Sequence, residues 1–282
     1  MRIVAGYRVK YSKSCFQTAY AAHSNPKVVI MSTLSVLILA RNEERNISDC
    51  IGSVAFADEI IVIDDFSTDR TRQLAEEAGA RVIQRSMSGD WGGQQTFAVE
   101  QARCEWILFL DADERISPEL AEEIKTTLKY GQPAAYWIQR HNRFHHNRAT
   151  HGTLRPDFVC RLMPAAGVTV EGYVHPAILH PYQDKKLRHP MYHYTYDNWD
   201  QYFGKFNHYT KLSAEKYRKA GKSVSFTKDI LLRPIWAFIK VYIFDKGFLD
   251  GKIGWIFAVN HYFYTMTKYV RLYYLYKSDG KL

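Results

Sequence analysis

Leu34-Ser-Val-Leu-Ile-Leu-Ala40 and Glu59-Ile-Ile-Val-Ile-Asp64 are short apolar runs, rich in β-branched residues, and each breaks off into a polar cluster. Runs of this length and composition read as strands covered on both faces. Between them, Ile47 to Ala57 fits a helix. Beyond them, Ser67 or Thr68 is placed to cap a helix that runs to Ala78 and stops at Gly79. Arg81-Val-Ile-Gln84 reads as a third strand, a helix follows around Gln94 to Arg103, and Glu105-Trp-Ile-Leu-Phe-Leu110 reads as a fourth strand. Pro118 suits the first turn of the next helix. Strand and helix alternating at this spacing imply right-handed βαβ units on a mostly parallel sheet. The expected fold class is therefore α/β and Rossmann-like.

In such sheets ligands bind beyond the carboxyl ends of the strands. The residues found there are Ala40-Arg-Asn-Glu-Glu44 after the first strand, Asp64-Asp-Phe-Ser-Thr-Asp69 after the second, and Asp111-Ala-Asp-Glu114 after the fourth. One cluster alone could simply cap its helix, as Asp69 does on that reading. Together they form an anionic pocket that calls for a cation. Asp111 and Asp113, one residue apart at a strand end, supply hard oxygen ligands suited to Mg²⁺ or Mn²⁺ with positions left open for diphosphate oxygens. There is no G-x-G-x-x-G and no G-x-x-x-x-G-K-S/T, which disfavours dinucleotide oxidoreductases and P-loop enzymes.

Leu39-Ala-Arg-Asn-Glu-Glu44, Val62-Ile-Asp-Asp-Phe-Ser-Thr-Asp-Arg-Thr71 and Phe109-Leu-Asp-Ala-Asp-Glu114 resemble, in order and spacing, the inverting family-2 glycosyltransferases of GT-A fold. Asp90-Trp-Gly-Gly-Gln-Gln95, Arg161-Leu162, Val174-His175, His193-Tyr-Thr-Tyr196 and Lys246-Gly-Phe-Leu-Asp-Gly251 narrow the likeness to bacterial lipopolysaccharide core glucosyltransferases. The resemblance implies that Asp64 and Asp65 contact the nucleotide, Asp111 the ribose, and Asp113 the metal. It places Ala40, Asn42, Glu43, Gln94 and Ala112 around the donor. It implies a nucleoside-diphosphate sugar, UDP-glucose first, as donor and a lipopolysaccharide core or related glycolipid as acceptor. Phe66 departs from the glycine common in the family. Pro176 stands where the subfamily has glutamate. Proline cannot accept a proton, so the general base falls to Glu171 or His175, with Glu171 favoured and His175 placed on the metal or diphosphate side. Asp157 and Asp184 come next.

The rest of the chain is read from composition. Residues 1–31 form a basic extension without an acidic residue up to position 30, expected to be disordered or to precede the true start. Residues 32–200 form the nucleotide-sugar and acceptor domain, and 201–282 a helical tail. Within the domain, Arg140 to His151, with His141, His145, His146 and His151 among Asn and Arg, reads as a mobile acceptor loop. The net charge is +9, and most of the 20 tyrosines fall in the last third. There, Leu231 to Phe244 and Trp255 to Tyr264 read as amphipathic helices that are too interrupted to span a bilayer but suited to an anionic membrane surface. No nucleic-acid-binding module is visible, so nucleic acid is not an expected partner. Cys15, Cys50, Cys104 and Cys160 are scattered, as in a reducing compartment. The expected location is cytoplasmic, peripheral on the inner face of the cytoplasmic membrane.

Overall fold

A computed structural model describes residues 32–144, 147–172, 176–196 and 198–279. The basic extension, His145, His146 and His175 lie outside the described residues. The first half alternates as expected: β1 (Leu34–Ala40), α1 (Ile47–Gly52), β2 (Glu59–Asp64), α2 (Thr71–Glu77), β3 (Arg81–Gln84), α3 (Trp91–Gln101) and β4 (Trp106–Asp111). Then follow β5 (Glu114–Ile116), α4 (Pro118–Tyr130), β6 (Ala135–Phe144), β7 (Asn147–Arg148), β8 (Asp157–Pro164), β9 (Thr169–Glu171), β10 (Ala177–Leu179), β11 (Asp184–Lys186) and β12 (Met191–Tyr196). The tail holds α5 (Trp199–Lys219), α6 (Arg233–Ile239) and α7 (Gly251–Lys277).

Ten strands form one sheet in the order β3-β2-β1-β4-β8-β6-β12-β5, with β7 and β11 on β6. β3, β2, β1 and β4 are mutually parallel, and β8 joins β4 antiparallel. The period-2 alternation of side chains explains why these strands are apolar throughout. Val36, Ile38, Val62, Leu108 and Leu110 pack on one face with α1 and α4. Leu37, Ile61, Ile63, Ile107 and Phe109 pack on the other, with Ala98 of α3.

The helix starts differ from the expectation. α3 begins at Trp91, because the Asp90 carboxylate accepts from the Gly93 N–H at 2.9 Å and caps the helix. α2 begins at Thr71, where Asp69 accepts from the Thr71 N–H at 2.9 Å, while Ser67 is drawn into the turn before it. α1 ends at Gly52 and passes into turns. The segment expected as a loop from Arg140 is strand as far as Phe144, paired with β12 on one side and, on the other, with β8 at Arg140 and with β7 at Arg143 and Phe144. Leu231 to Phe244 is built of α6 between π-helical turns, Phe226–Leu232 and Lys240–Phe244. Trp255 to Tyr264 lies inside α7. Among the described residues no helix is long and apolar enough to cross a membrane.

The tail is tied to the sheet domain at Asp250. Its nearly buried carboxylate accepts from the backbone N–H of Thr150 (3.2 Å) and of His151 (2.9 Å) and from the Thr150 hydroxyl (3.1 Å). Beside this junction Phe257 of α7 packs with Phe144, Ala149 and Leu154.

Candidate active site at the carboxyl edge of the sheet

The turns after β1 and β2 are woven together. The Asn42 N–H donates to the Ser67 hydroxyl (2.9 Å), and Asn42 Oδ1 accepts from the Thr68 N–H (2.8 Å). Asn42 and Phe66 both adopt the left-handed conformation, with φ of 56° and 51°. A bulky residue pays about 1 to 2 kcal/mol for that conformation, a cost that glycine at the position of Phe66 would avoid. Asp64 is fully buried and accepts from the Ser67 N–H and Gln84 Nε2 (3.0 Å). Asp65 accepts from Arg41 Nη1 (2.9 Å) and the Met87 N–H (3.0 Å). Ala40 ends β1, and its carbonyl accepts from the Asp65 N–H at 2.9 Å. Glu43 accepts from Asn46 Nδ2 at 2.8 Å. Gln94, buried, accepts from Arg85 Nη1 (2.6 Å) and donates to the Arg85 carbonyl (2.8 Å).

The D-x-D turn closes β4. Ala112 is buried, and its carbonyl accepts from Arg115 Nη1 at 2.8 Å. The half-exposed Asp111 carboxylate accepts from Arg161 Nη2 at 2.5 Å. Arg161, itself buried, also donates to both oxygens of Glu114, which is wholly buried (2.7 and 2.9 Å). Burial pushes the Glu114 carboxyl upward, against the pull of the Arg161 charge. Burial works to neutralise Arg161, but Asp111 and Glu114 together hold its guanidinium well above its ordinary value. Burial also pushes the Cys50 thiol up, which leaves it a packing group.

Strand β12 brings a group that the residues after the strands did not indicate. The Tyr194 N–H donates to the Asp113 carbonyl (2.9 Å), which sets His193 beside Asp113 with Nε2 3.3 Å from Oδ2. Asn142 Nδ2 donates to the Arg155 carbonyl (3.0 Å), so Asn142 Oδ1 faces His193 Nδ1 at 2.7 Å. An amide oxygen can only accept. Nδ1 therefore donates to it, which turns the Nε2 edge of the ring toward Asp113. Burial tends to raise the Asp113 carboxyl, but the hydrogen bond and charge of His193, then the charge of Lys205, hold it below the usual carboxylate value. Adjacent ligands on an octahedral cation with bonds of about 2.1 Å lie about 3 Å apart, so this oxygen and nitrogen fit one hard cation. Among the described residues no three His, Cys, Asp or Glu side chains are grouped to hold a metal by themselves, so the remaining ligands would come from donor or water. His193 stood in the sequence only as part of an aromatic motif, and nothing in its spacing points to Asp113.

Glu171 is exposed at the end of β9. The strand is fastened to α3: Thr96 Oγ1 donates to the Val170 carbonyl (3.0 Å) and accepts from its N–H (2.9 Å), and the Gly92 N–H donates to the Gly172 carbonyl (3.2 Å). A Cβ on Gly92 would meet that carbonyl oxygen at 2.8 Å. The Trp-Gly-Gly stretch thus serves close backbone approach. Gly92→Ala should push the Glu171 strand off α3 and cost about 1 to 3 kcal/mol. Thermal unfolding reads this directly; an unchanged Tm would mean the strand yields freely.

Known proteins resemble the chain along most of its length. A protein of Rickettsia bellii (strain RML369-C) named as an uncharacterized glycosyltransferase is 28% identical over 259 residues, covering 86% of each chain. The lipopolysaccharide core biosynthesis glycosyltransferase LpsC of Rhizobium meliloti (strain 1021) is 28% identical over 242 residues, 80% of this chain and 88% of that one. The crystal structure of glucosyl-3-phosphoglycerate synthase from Mycobacterium tuberculosis, solved with Mn²⁺ and uridine diphosphate, is 26% identical, covers 40% of this chain and 44% of that one, and superposes with a TM-score of 0.34. An overlap so slight brings none of its ligands onto this chain. The sequence profile of glycosyl transferase family 2 matches residues 35–248. With that profile running from the first residues of β1 into the tail, the chain belongs to glycosyl transferase family 2.

Proposed function

We propose that the protein transfers a hexose, glucose by family resemblance, from a nucleoside diphosphate to a lipopolysaccharide core or related glycolipid, with inversion, a divalent cation and an anionic membrane surface. The observation that carries the reading is the pairing of Asp113 with His193 beside the Asp111 carboxylate at the carboxyl edge of the sheet. The role of the Rhizobium meliloti relative in lipopolysaccharide core biosynthesis supports the acceptor class.

Asp113 and His193 would hold Mg²⁺ or Mn²⁺, which when bound neutralises charge growing on the departing diphosphate. Asp111, one oxygen engaged by Arg161, contacts the ribose with the other. The interlocked turns of Asn42, Asp64 and Asp65 shape the nucleotide side, with Ala40, Glu43, Gln94 and Ala112 around it. The acceptor oxygen forms a bond to the anomeric carbon as the bond to the diphosphate oxygen breaks. The acceptor proton passes to Glu171. The acceptor enters by a cleft of about 410 Å³ lined by Arg155, Tyr196, Tyr202, Lys240, His261 and Tyr264. One of its lining residues, Arg155, is linked to His193 through Asn142, which donates to the Arg155 carbonyl and accepts from the His193 ring. Burial, then the charges of Lys268 and Lys240, push His261 down to about 4, so it lines this cleft as a neutral ring.

Membrane contact falls to the tail, where Leu232, Trp236, Phe244 and Trp255 are each half or more exposed. Apolar side chains flanked by Arg233, Lys240, Lys246 and Lys252 suit a headgroup plane.

Labelled UDP-, GDP-, dTDP- and ADP-sugars with Mn²⁺ test the reading. A UDP-sugar should raise Tm and turn over; if none stabilises or reacts, the donor reading is wrong. Glu171→Gln should lower kcat about a hundredfold while donor affinity is kept. Near-normal turnover in that variant would move the base elsewhere, to Asp157 or Asp184.

A further inference from the structure

Resting on the peripheral-membrane reading above, we propose that Lys222, Lys268 and Arg233, gathered around the ring of Tyr269, bind the phosphate of an anionic lipid headgroup. The site lies where α5, α7 and the turn Phe226–Leu232 meet, outside the catalytic edge of the sheet.

Three cations converge there. The Lys222 and Lys268 ammonium groups lie 5.2 and 5.4 Å from the Tyr269 ring centre, and the Arg233 guanidinium lies 5.2 Å from it. Lys222 and Lys268 also flank Tyr217, at 3.9 and 5.8 Å. Among the described residues the carboxylate set against this group is Asp229, which takes Arg233 Nε at 2.8 Å. Its second oxygen is occupied by the Ser225 N–H at 2.9 Å. A buried tyrosine ring attracts one cation well, but it does not neutralise three, and like charges held together in a partly buried place repel. Burial first, then the charges of Lys222 and Arg233, hold the Lys268 ammonium below its ordinary value. A phosphate inserted among these groups would relieve that repulsion and take charge-assisted hydrogen bonds from each.

The surroundings select the kind of phosphate. Arg233 lies on the same stretch as Leu231 (47% exposed), Leu232 (58%), Ile235 (49%) and Trp236 (56%), and Phe226 beside the cluster is 55% exposed. A ligand with an anionic head and apolar chains satisfies both features at once. A soluble sugar phosphate would leave the apolar stretch bare. A nucleic acid would need open rings to stack on, whereas Tyr269 is 2% exposed.

The test uses the full chain with Lys268→Met and Lys222→Met, against Lys211→Met, which removes one exposed charge from α5. Each is assayed on vesicles of phosphatidylglycerol in phosphatidylcholine, and by thermal shift with soluble dihexanoyl phosphatidic acid and with inorganic phosphate. Both cluster variants should bind the anionic vesicles about fivefold or more weakly, and Lys211→Met less than about twofold. Dihexanoyl phosphatidic acid should raise the Tm of the intact protein and not that of Lys268→Met. Without lipid, Lys268→Met should keep or raise its Tm, because removing one of several crowded cations relieves repulsion. A cluster that merely glued the helices together would lose stability instead, and that result overturns the proposal. So does an equal loss of vesicle binding in Lys211→Met, or an equal Tm rise with inorganic phosphate. If the intact protein ignores the vesicles yet responds to dihexanoyl phosphatidic acid through Lys268, the peripheral reading fails and the site stands.

Discussion

Asp113→Ala is expected to lower kcat about a thousandfold while the protein stays folded. The residue lies two positions beyond the end of β4, and its side chain is 24% exposed, so alanine there opens no core cavity. What is lost is the oxygen 3.3 Å from His193 Nε2, and with it one of the two ligands proposed for the cation. Chelation by EDTA should reproduce the loss, and Mg²⁺ or Mn²⁺ should reverse it. His193→Ala should follow in the same direction, and Asn142→Leu more weakly, because Asn142 only orients the ring through its Nδ1. Circular dichroism and Tm separate this from unfolding. Full turnover in EDTA would reject the cation, and normal turnover in Asp113→Ala would reject the ligand.

Arg161→Met is expected to cost about 3 to 5 kcal/mol of stability, the largest loss predicted for a single side chain here. Arg161 is 7% exposed, and Glu114, which it neutralises, is 0% exposed. Methionine keeps much of the volume and leaves the Glu114 carboxylate buried without its principal counter-charge. The pH dependence follows from the sign of the shift. Burial already raises Glu114 above its ordinary value, and Arg161 opposes this. Without Arg161 the folded carboxyl rises further and holds a proton that the unfolded chain releases. Stability of the variant is therefore greatest at low pH and falls as pH rises through the folded value. Urea unfolding at about pH 5 and about pH 8 should show a smaller deficit at the lower pH. A deficit equal at both would mean that Glu114 is not the charge Arg161 compensates.

The parallel half of the fold was legible because each strand is covered on both faces. Val36 and Ile38 face one helical layer and Leu37 the other, so the run must be apolar throughout and stands out as such. Helix starts were less legible. Trp91-Gly-Gly93 looks like a helix breaker, since glycine is a poor helix former. The helix nonetheless begins there, capped by Asp90, with Gly92 kept small by the Gly172 carbonyl. The Arg140 segment looks like a polar loop because its strand is half-buried and carries the polar groups of the site, Arg140 on Asp157 and Asn142 on His193.

By itself, then, the sequence determined the α/β class, the parallel strands and the clusters that end them, Asp64-Asp65 and Asp111-x-Asp113 among them. All of these are local: a periodicity, a run length, or a carboxylate next to the end of its own strand. Only the tertiary structure decided which distant groups complete the site. His193 meets Asp113 through the pairing of β12 with β5, and Arg161 meets Glu114 through the pairing of β8 with β4. These strands enter the sheet out of chain order, and a register of one residue more or less would turn each side chain to the opposite face. No spacing within the sequence encodes that register. It is set by the packing of the whole sheet, whereas the gathering of Lys222, Arg233 and Lys268 on one tyrosine ring is set by the packing of α5 and α7.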